Sequence, residues 1–310
     1  MPIKLAIIGA GKIATDEHRP AIAAGNTFEL VALVDPGLDT DETATPATFT
    51  SLNALAASGI AVDAVTLAVP PQIRHTVATQ AIAAGWHVML EKPPGITLTE
   101  VIDLEQRAER AGVVLYASWH SRHAPGIESA RQALAGRRIE RIDIDWREDV
   151  TVTHPGQAWI WQAGGLGVFD PGINAFSILT ALVDAPVQAT RAHLDMPENC
   201  DAPIAADLAF VTGDEVPIAA VFDFRHTGTP AWTIDIQTDA GPVQLSDGGA
   251  RLRVDGQLVL DTDKDEYAGV YARYADCIEN ARSDCDIAPF RLVADAFLIG
   301  TRAVVDAFHE

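Results

Sequence analysis

Short, nearly continuous apolar runs recur along the first part of the chain, at residues 3–8, 28–34, 62–69, 86–90 and 113–117. Runs of this length, rich in Val, Ile and Leu, predict strands of a parallel sheet buried on both faces. Between them the apolar spacing turns helical. It does so from Ala14 towards Gly25, at Ile73, Val77, Ala81 and Ala84 up to Gly85, and over 98–111 with Glu100, Asp103, Glu105, Arg107, Glu109 and Arg110 on the solvated side. Strands alternating with helices over about 120 residues predict a doubly wound parallel sheet. After a helix expected over 125–136 the pattern changes. Ile142-Asp143-Ile144-Asp145-Trp146 alternates as a half-buried antiparallel strand does. Further β-like runs follow at 205–212, 218–224, 232–238, 243–245, 252–254 and 258–260, with Asp255-Gly256 as a strong hairpin signal. Residues 267–281 and 292–308 read as helix, with Cys277 on an apolar stripe beside Val270, Tyr274 and Ile278.

Composition narrows the picture. A chain of 310 residues, 48% of them hydrophobic, holds about two domains with sizeable cores. The formal charge of −21 argues against nucleic acid or an anionic membrane as partner. Cys200, Cys277 and Cys285 have neither zinc spacing nor a disulfide framework. No leader-like segment and no membrane-length apolar run is seen, so the expectation is a soluble cytoplasmic protein.

The candidate chemistry sits where strands end. Gly9-x-Gly11-x-x-Ala14 follows the first strand and opens a helix. Gly9 permits the tight turn, Gly11 lets a pyrophosphate approach the backbone, and Ala14 lets helix and strand pack closely. Lys12 and Ile13 lie at the helix N-terminus, whose N–H groups suit a phosphate. Asp35 ends the second strand, placed to accept from an adenosine ribose 2′-OH and to repel a 2′-phosphate. No Lys or Arg from Pro36 to Thr50 reverses that preference, so NAD is the preferred cofactor and NADP a possible one. Pro70 closes the third strand, and Glu91-Lys92-Pro93-Pro94 closes the next at the same ligand-binding edge. Pro70, Glu91 and Lys92 therefore join the cofactor-binding candidates. In the second half, Gly164, Gly165 and Gly167 precede Asp170, and Asn174 lies one helical turn further on. An Asp N-cap with an incidental Asn would look the same.

Taken together, Gly9-x-Gly11-x-x-Ala14, Glu91-Lys92-Pro93 and Gly164-Gly165 leading to Asp170-x-x-x-Asn174 resemble the glucose–fructose oxidoreductase/inositol dehydrogenase (Gfo/Idh/MocA) family. Trp119-His120-Ser121-Arg122, Trp146-Arg147-Glu148-Asp149, His154-Pro155-Gly156-Gln157 and Trp159-Ile160-Trp161 resemble most its bacterial branch that oxidises D-galactose and L-arabinose at carbon 1. That branch shares Asn174 where the family usually has His. The resemblance implies an α/β plus α+β fold, with an N-terminal Rossmann doubly wound parallel sheet and a C-terminal open, mainly antiparallel sheet with helices on one face. Residues 1–122 would be the NAD-binding domain and 123–291 the substrate domain, with helix 292–308 packing back on the first. It also implies an NAD(P)-dependent aldose 1-dehydrogenase that is a homo-oligomer, a dimer being favoured, with a small aldose as its partner. Asp170 is the candidate base and Lys92 the cation at the anomeric oxygen; the reverse assignment stays open. His120, Glu148, His154, Trp159 and Asn174 are the substrate-binding candidates. For Trp159 and Trp161 core packing is as good a reading as a sugar contact. His120 and His123 lack a third ligand at sensible spacing, so no metal is expected. Another aldose or polyol as substrate, or a non-catalytic nicotinamide-binding sensor, are the alternatives.

Overall fold

The computed structural model describes residues 1–309. In chain order its first stretch holds β1 (Ile3–Ile8), α1 (Arg19–Ala24), β2 (Phe28–Val34), β3 (Ala47–Phe49), α2 (Leu52–Ala57), β4 (Ala64–Leu67), α3 (Pro71–Ala83), β5 (His87–Glu91), α4 (Leu98–Ala111) and β6 (Leu115–Ser118). The middle stretch holds α5 (Ile127–Leu134), β7 (Ile139–Arg147), α6 (Val150–Thr153), α7 (Phe169–Leu182), β8 (Val187–Pro197), β9 (Ala205–Thr212), β10 (Pro217–Asp223), β11 (Ala231–Thr238), β12 (Val243–Ser246), β13 (Arg251–Val254) and β14 (Gln257–Asp261). Then come α8 (Tyr267–Glu279), α9 (Ala288–Ile299) and β15 (Thr301–Val305). Two compact units result: Met1–Trp119 with Tyr267–Ile287, and His120–Glu266 with the chain from Ala288 onward.

In the first unit β1 to β6 form one parallel sheet in the order β3-β2-β1-β4-β5-β6. The strand order reverses between β1 and β4, and at the carboxyl ends of such strands ligands bind. Because side chains alternate along a strand, each strand feeds two cores. Ala6, Ile8, Val88 and Leu90 face a cluster with Leu52, Leu55, Ala78, Ile82 and Leu104 from α2, α3 and α4. Leu5, Ile7 and Met89 face the other, with Ile22 of α1 and Val270, Tyr271, Tyr274 and Cys277 of α8. The helical stripe read around Cys277 is therefore core, and it belongs to the nucleotide-binding unit.

The second unit is a nine-stranded sheet in the order β14-β13-β12-β11-β7-β10-β9-β8-β15. It is mainly antiparallel, with parallel pairing, among the described residues, of β7 with β10 and β8 with β15. Its core is centred on α7, which is apolar nearly all round and buried accordingly. Phe176 packs on Phe210 and Phe222 with ring centroids 5.3 and 5.2 Å apart, and Phe169 meets Phe222 edge-on at 5.8 Å. At Gly172 a Cβ would stand 2.6 Å from the Phe222 ring, so the helix needs glycine there to lie this close to β10.

Two expectations about the ends of the units are corrected. The segment 292–308 is not a single helix packing back on the first unit. Helix α9 stops at Ile299, Gly300 intervenes, and β-branched Thr301, Val304 and Val305 form β15 on the edge of the second sheet beside β8. The boundary set at 122–123 and the assignment of 123–291 wholly to the substrate domain change in the same way. Tyr267–Ile287 returns to the first unit because its aromatic stripe covers the exposed face of that sheet.

Candidate functional site

At the end of β1 the turn has the form its sequence requires. Gly9 has φ of +97°, and a Cβ on it would lie 2.7 Å from the Ala68 carbonyl oxygen. No residue but glycine fits where the ends of β1 and β4 converge. Gly11 is exposed, and a Cβ there would meet nothing within 4 Å, which leaves the backbone open to a ligand. Lys12 and Ile13 follow in the first helical turn, where N–H groups point outward. Lys12 pairs with Asp16 on the surface. Asp35 holds this turn from β2: its Oδ2 accepts from the Ala10 N–H at 2.9 Å and its Oδ1 from the Gly37 N–H at 2.8 Å. An open glycine backbone, a helix N-terminus and a carboxylate beside them are groups that would hold a dinucleotide.

Glu91 and Lys92 follow β5 at the same edge, and Pro70, exposed, caps the start of α3 after β4. Glu91 is buried. Its Oε1 accepts from the Tyr267 hydroxyl at 2.9 Å and the Ser118 hydroxyl at 3.1 Å, and lies 3.3 Å from His18 Nε2. Its Oε2 accepts from the Lys92 N–H at 2.8 Å. The carboxylate is thus engaged inside the unit, where it orients the Lys92 backbone. Fully buried His18 continues the network to the Tyr271 hydroxyl at 3.0 Å, and burial pushes that phenol far above its ordinary value. Arg74, also buried, donates to the carbonyls of Glu91, at 2.5 Å, Pro93 and Val69. One guanidinium from α3 therefore ties the ends of β4 and β5 to the turn that presents half-buried Lys92. Sequence reading missed His18, Arg74 and Tyr267, although a polar group interrupting an apolar helical stripe is the signal that marks the first two.

In the second unit the glycine segment sets the start of α7. The Gly167 N–H donates to Ile160 O at 2.9 Å, its φ is +53°, and a Cβ there would fall 2.2 Å from Pro203 O. Asp170 follows as the second residue of α7, 2% exposed, within the helix-start field that favours a carboxylate. Asn174, half-buried, lies one turn on. Glu148, equally buried, leaves the end of β7. Its Oε1 accepts from the Thr153 hydroxyl at 2.6 Å and lies 3.1 Å from His154 Nε2, while its Oε2 accepts from Trp232 Nε1 at 2.7 Å. His154 Nδ1 in turn stands 3.9 Å from Asp170 Oδ2. Three residues chosen from sequence therefore meet, across α7, α6 and the end of β7.

The other candidates lie as follows. Half-buried His120 pairs through Nδ1 with Glu266. Burial raises the Glu266 carboxyl, but the nearby charges of His120 and Lys264 outweigh it and hold the group below the usual range. Trp159 is half-buried on the single turn Ala158–Trp161. Trp161 packs on Phe224 and Phe308, with ring centroids 5.6 and 4.8 Å apart. Trp232, which sequence marked only as strand, bonds Glu148 and carries Lys264 Nζ 3.8 Å above its ring.

Residues 3–118 match the family described as an oxidoreductase family with an NAD-binding Rossmann fold. Galactose 1-dehydrogenase of Pseudomonas fluorescens is 42% identical over 100% of this chain and 99% of its own length. Among solved structures, the D-galactose-1-dehydrogenase protein from Rhizobium etli is similar, with a TM-score of 0.93, 50% identity, and 99% and 98% of the two chains covered. A 3-ketoreductase from Actinomadura kijaniata, solved with NADP and TDP-benzene, shares the fold alone, at a TM-score of 0.85 and 17% identity over 98% of this chain and 100% of that one. Full-length likeness at this identity, with the glycine turn, the Glu91-Lys92-Pro93 turn and the Asp170–Asn174 helix all in their expected elements, shows that the chain belongs to the Gfo/Idh/MocA oxidoreductase family.

Proposed function

We propose that the protein oxidises the anomeric carbon of D-galactose, and of L-arabinose, to the aldonolactone, with NAD preferred to NADP. The observation that carries this is the group of Asp170, His154 and Glu148 at the start of α7, together with the full-length likeness to galactose 1-dehydrogenase. When bound, the nicotinamide accepts the hydride from the anomeric carbon. The chain supplies the rest. Asp170 takes the proton of the anomeric hydroxyl, a role worth about 10²–10⁴ in rate. Lys92 stabilises negative charge developing on the anomeric oxygen. Asn174 donates to and accepts from ring hydroxyls without ionising. Glu148, with Trp232 and Thr153 fixing its geometry, and His120, paired with Glu266, offer acceptors and donors for the remaining hydroxyls.

Asp35 supports the cofactor preference. Besides the lack of Lys or Arg from Pro36 to Thr50, that stretch carries Asp39, Asp41 and Glu42, which would repel a 2′-phosphate further. The test is a panel of aldoses with NAD and with NADP, followed at the nicotinamide absorbance. Turnover of D-galactose and L-arabinose with NAD is expected. Equal turnover of all aldoses, or a higher kcat/KM with NADP, would overturn the respective part of the proposal.

A further inference from the structure

We propose that His154, oriented by Glu148, relays to solvent the proton that Asp170 takes up in each turnover, an inference that rests on Asp170 being the base. A base only 2% exposed can accept the substrate proton, but it cannot pass that proton directly to water. His154 is placed to carry it. Its Nε2 lies 3.1 Å from Glu148 Oε1, an acceptor, so Nε2 carries the proton of the neutral ring and Nδ1 the lone pair. Nδ1 is buried, makes no hydrogen bond, and stands 3.9 Å from Asp170 Oδ2. A buried acceptor without a donor is costly to leave idle. A carboxylic acid at Asp170 makes the gap useful, because its O–H can close on Nδ1.

The step balances as a proton transfer. The O–H bond of protonated Asp170 breaks, an N–H bond forms at Nδ1, and the half-buried imidazolium then gives its Nε2 proton to water, with Glu148 holding the ring in place. Glu148 and Asp170 face the ring, and the Phe224 ring lies 5.6 Å away between centroids. Two carboxylates thus stabilise the imidazolium while it exists. The side chain of His154 is 16% exposed against 4% for Asp170, so the proton moves towards solvent. Thr153 and Trp232 hold Glu148 so that its Oε1 stays directed at the ring.

The experiment replaces the relay and supplies it from outside. His154→Ala should lower kcat for D-galactose by roughly tenfold or more, and added imidazole should restore part of it in proportion to concentration. His154→Gln keeps an amide donor for Glu148 but carries no proton, so it should fold as the parent does and show the same loss. Loss in either variant that imidazole leaves unchanged in His154→Ala, or that falls on the sugar KM alone, overturns the relay and leaves His154 as a packing or hydroxyl-binding side chain. The underlying reading fails separately, by full turnover in Asp170→Asn or by no galactose oxidation in the unmutated protein.

Discussion

Asp170 and Lys92 divide the proposed chemistry between them, and Asp170 can be neutralised without changing its volume. Asp170→Asn should lower kcat by roughly 10² or more with NAD affinity little changed. Lys92→Ala should do comparable harm, and the double variant should be hardly worse than either single one if they act as a unit. Steady-state kinetics and cofactor titration check this; near-normal turnover of Asp170→Asn would move the base elsewhere. Arg74 acts one step further back. Arg74→Met leaves the carbonyls of Val69, Glu91 and Pro93 without their donor, at about 1–3 kcal/mol for a buried unsatisfied group. Urea unfolding should show that loss, and kcat should fall with it because the Lys92 turn loosens. Glu266 provides a pH test. Its folded pKa is lowered, so its contribution to stability is present above the ordinary value of 4.5 and is lost as pH falls below it. Glu266→Gln should therefore flatten that part of the acid limb. At this scale the local motifs were legible: Gly9, Gly11, Asp35, Lys92 and Asp170 each announce themselves within a few residues. Trp232 and Tyr267 were not, because the carboxylates they bond lie 84 and 176 residues away in sequence.

Helix α7 shows what an element demands of its residues. Ala is the better helix former at Gly172 by about 1 kcal/mol, yet its Cβ would press into the Phe222 ring, and overpacking costs about 1–3 kcal/mol. Gly172→Ala should therefore lose stability on balance, visible as a lower urea midpoint at constant m; a more stable protein would show that α7 can lift off the sheet at little cost. Periodicity found most elements because most bury a regular stripe. The Asp255-Gly256 hairpin formed as read, with both residues at positive φ between β13 and β14. Strand β8 went unread because only Ala192, Leu194 and Pro197 of its eleven residues are buried, and a shift of register interrupts it between Ala189 and Arg191. Strand β15 was hidden by continuity with α9, whose apolar pattern runs on past Gly300.

Substrate and cofactor choice belong to the whole molecule. D-galactose and L-arabinose share the arrangement of hydroxyls at carbons 2, 3 and 4, and D-glucose inverts the one at carbon 4. A buried partner left without that hydroxyl costs about 1–3 kcal/mol, or roughly 5- to 150-fold in kcat/KM. D-glucose should be disfavoured by that factor, and equal efficiency would remove Glu148, His154 and Asn174 from the hydroxyl-binding role. Asp35→Ser with an Arg nearby should shift preference towards NADP. It should also cost stability, because Asp35 braces Ala10 and Gly37, so the two effects must be read separately, by kinetics and by unfolding.

The division of the first unit into Met1–Trp119 and Tyr267–Ile287 has a consequence for how the protein is made. One face of its parallel sheet, with Leu5, Ile7 and Met89, is covered by tyrosines of α8. A ribosome adding about 5–20 residues per second reaches α8 only after translating residues 120–266, on the order of ten seconds later. For that interval the nascent sheet carries an uncovered apolar face, and it is then that a chaperone would be needed. Chains stalled before Tyr267 should associate with holdase chaperones, and release of residues 267–287 from the exit tunnel should end that association.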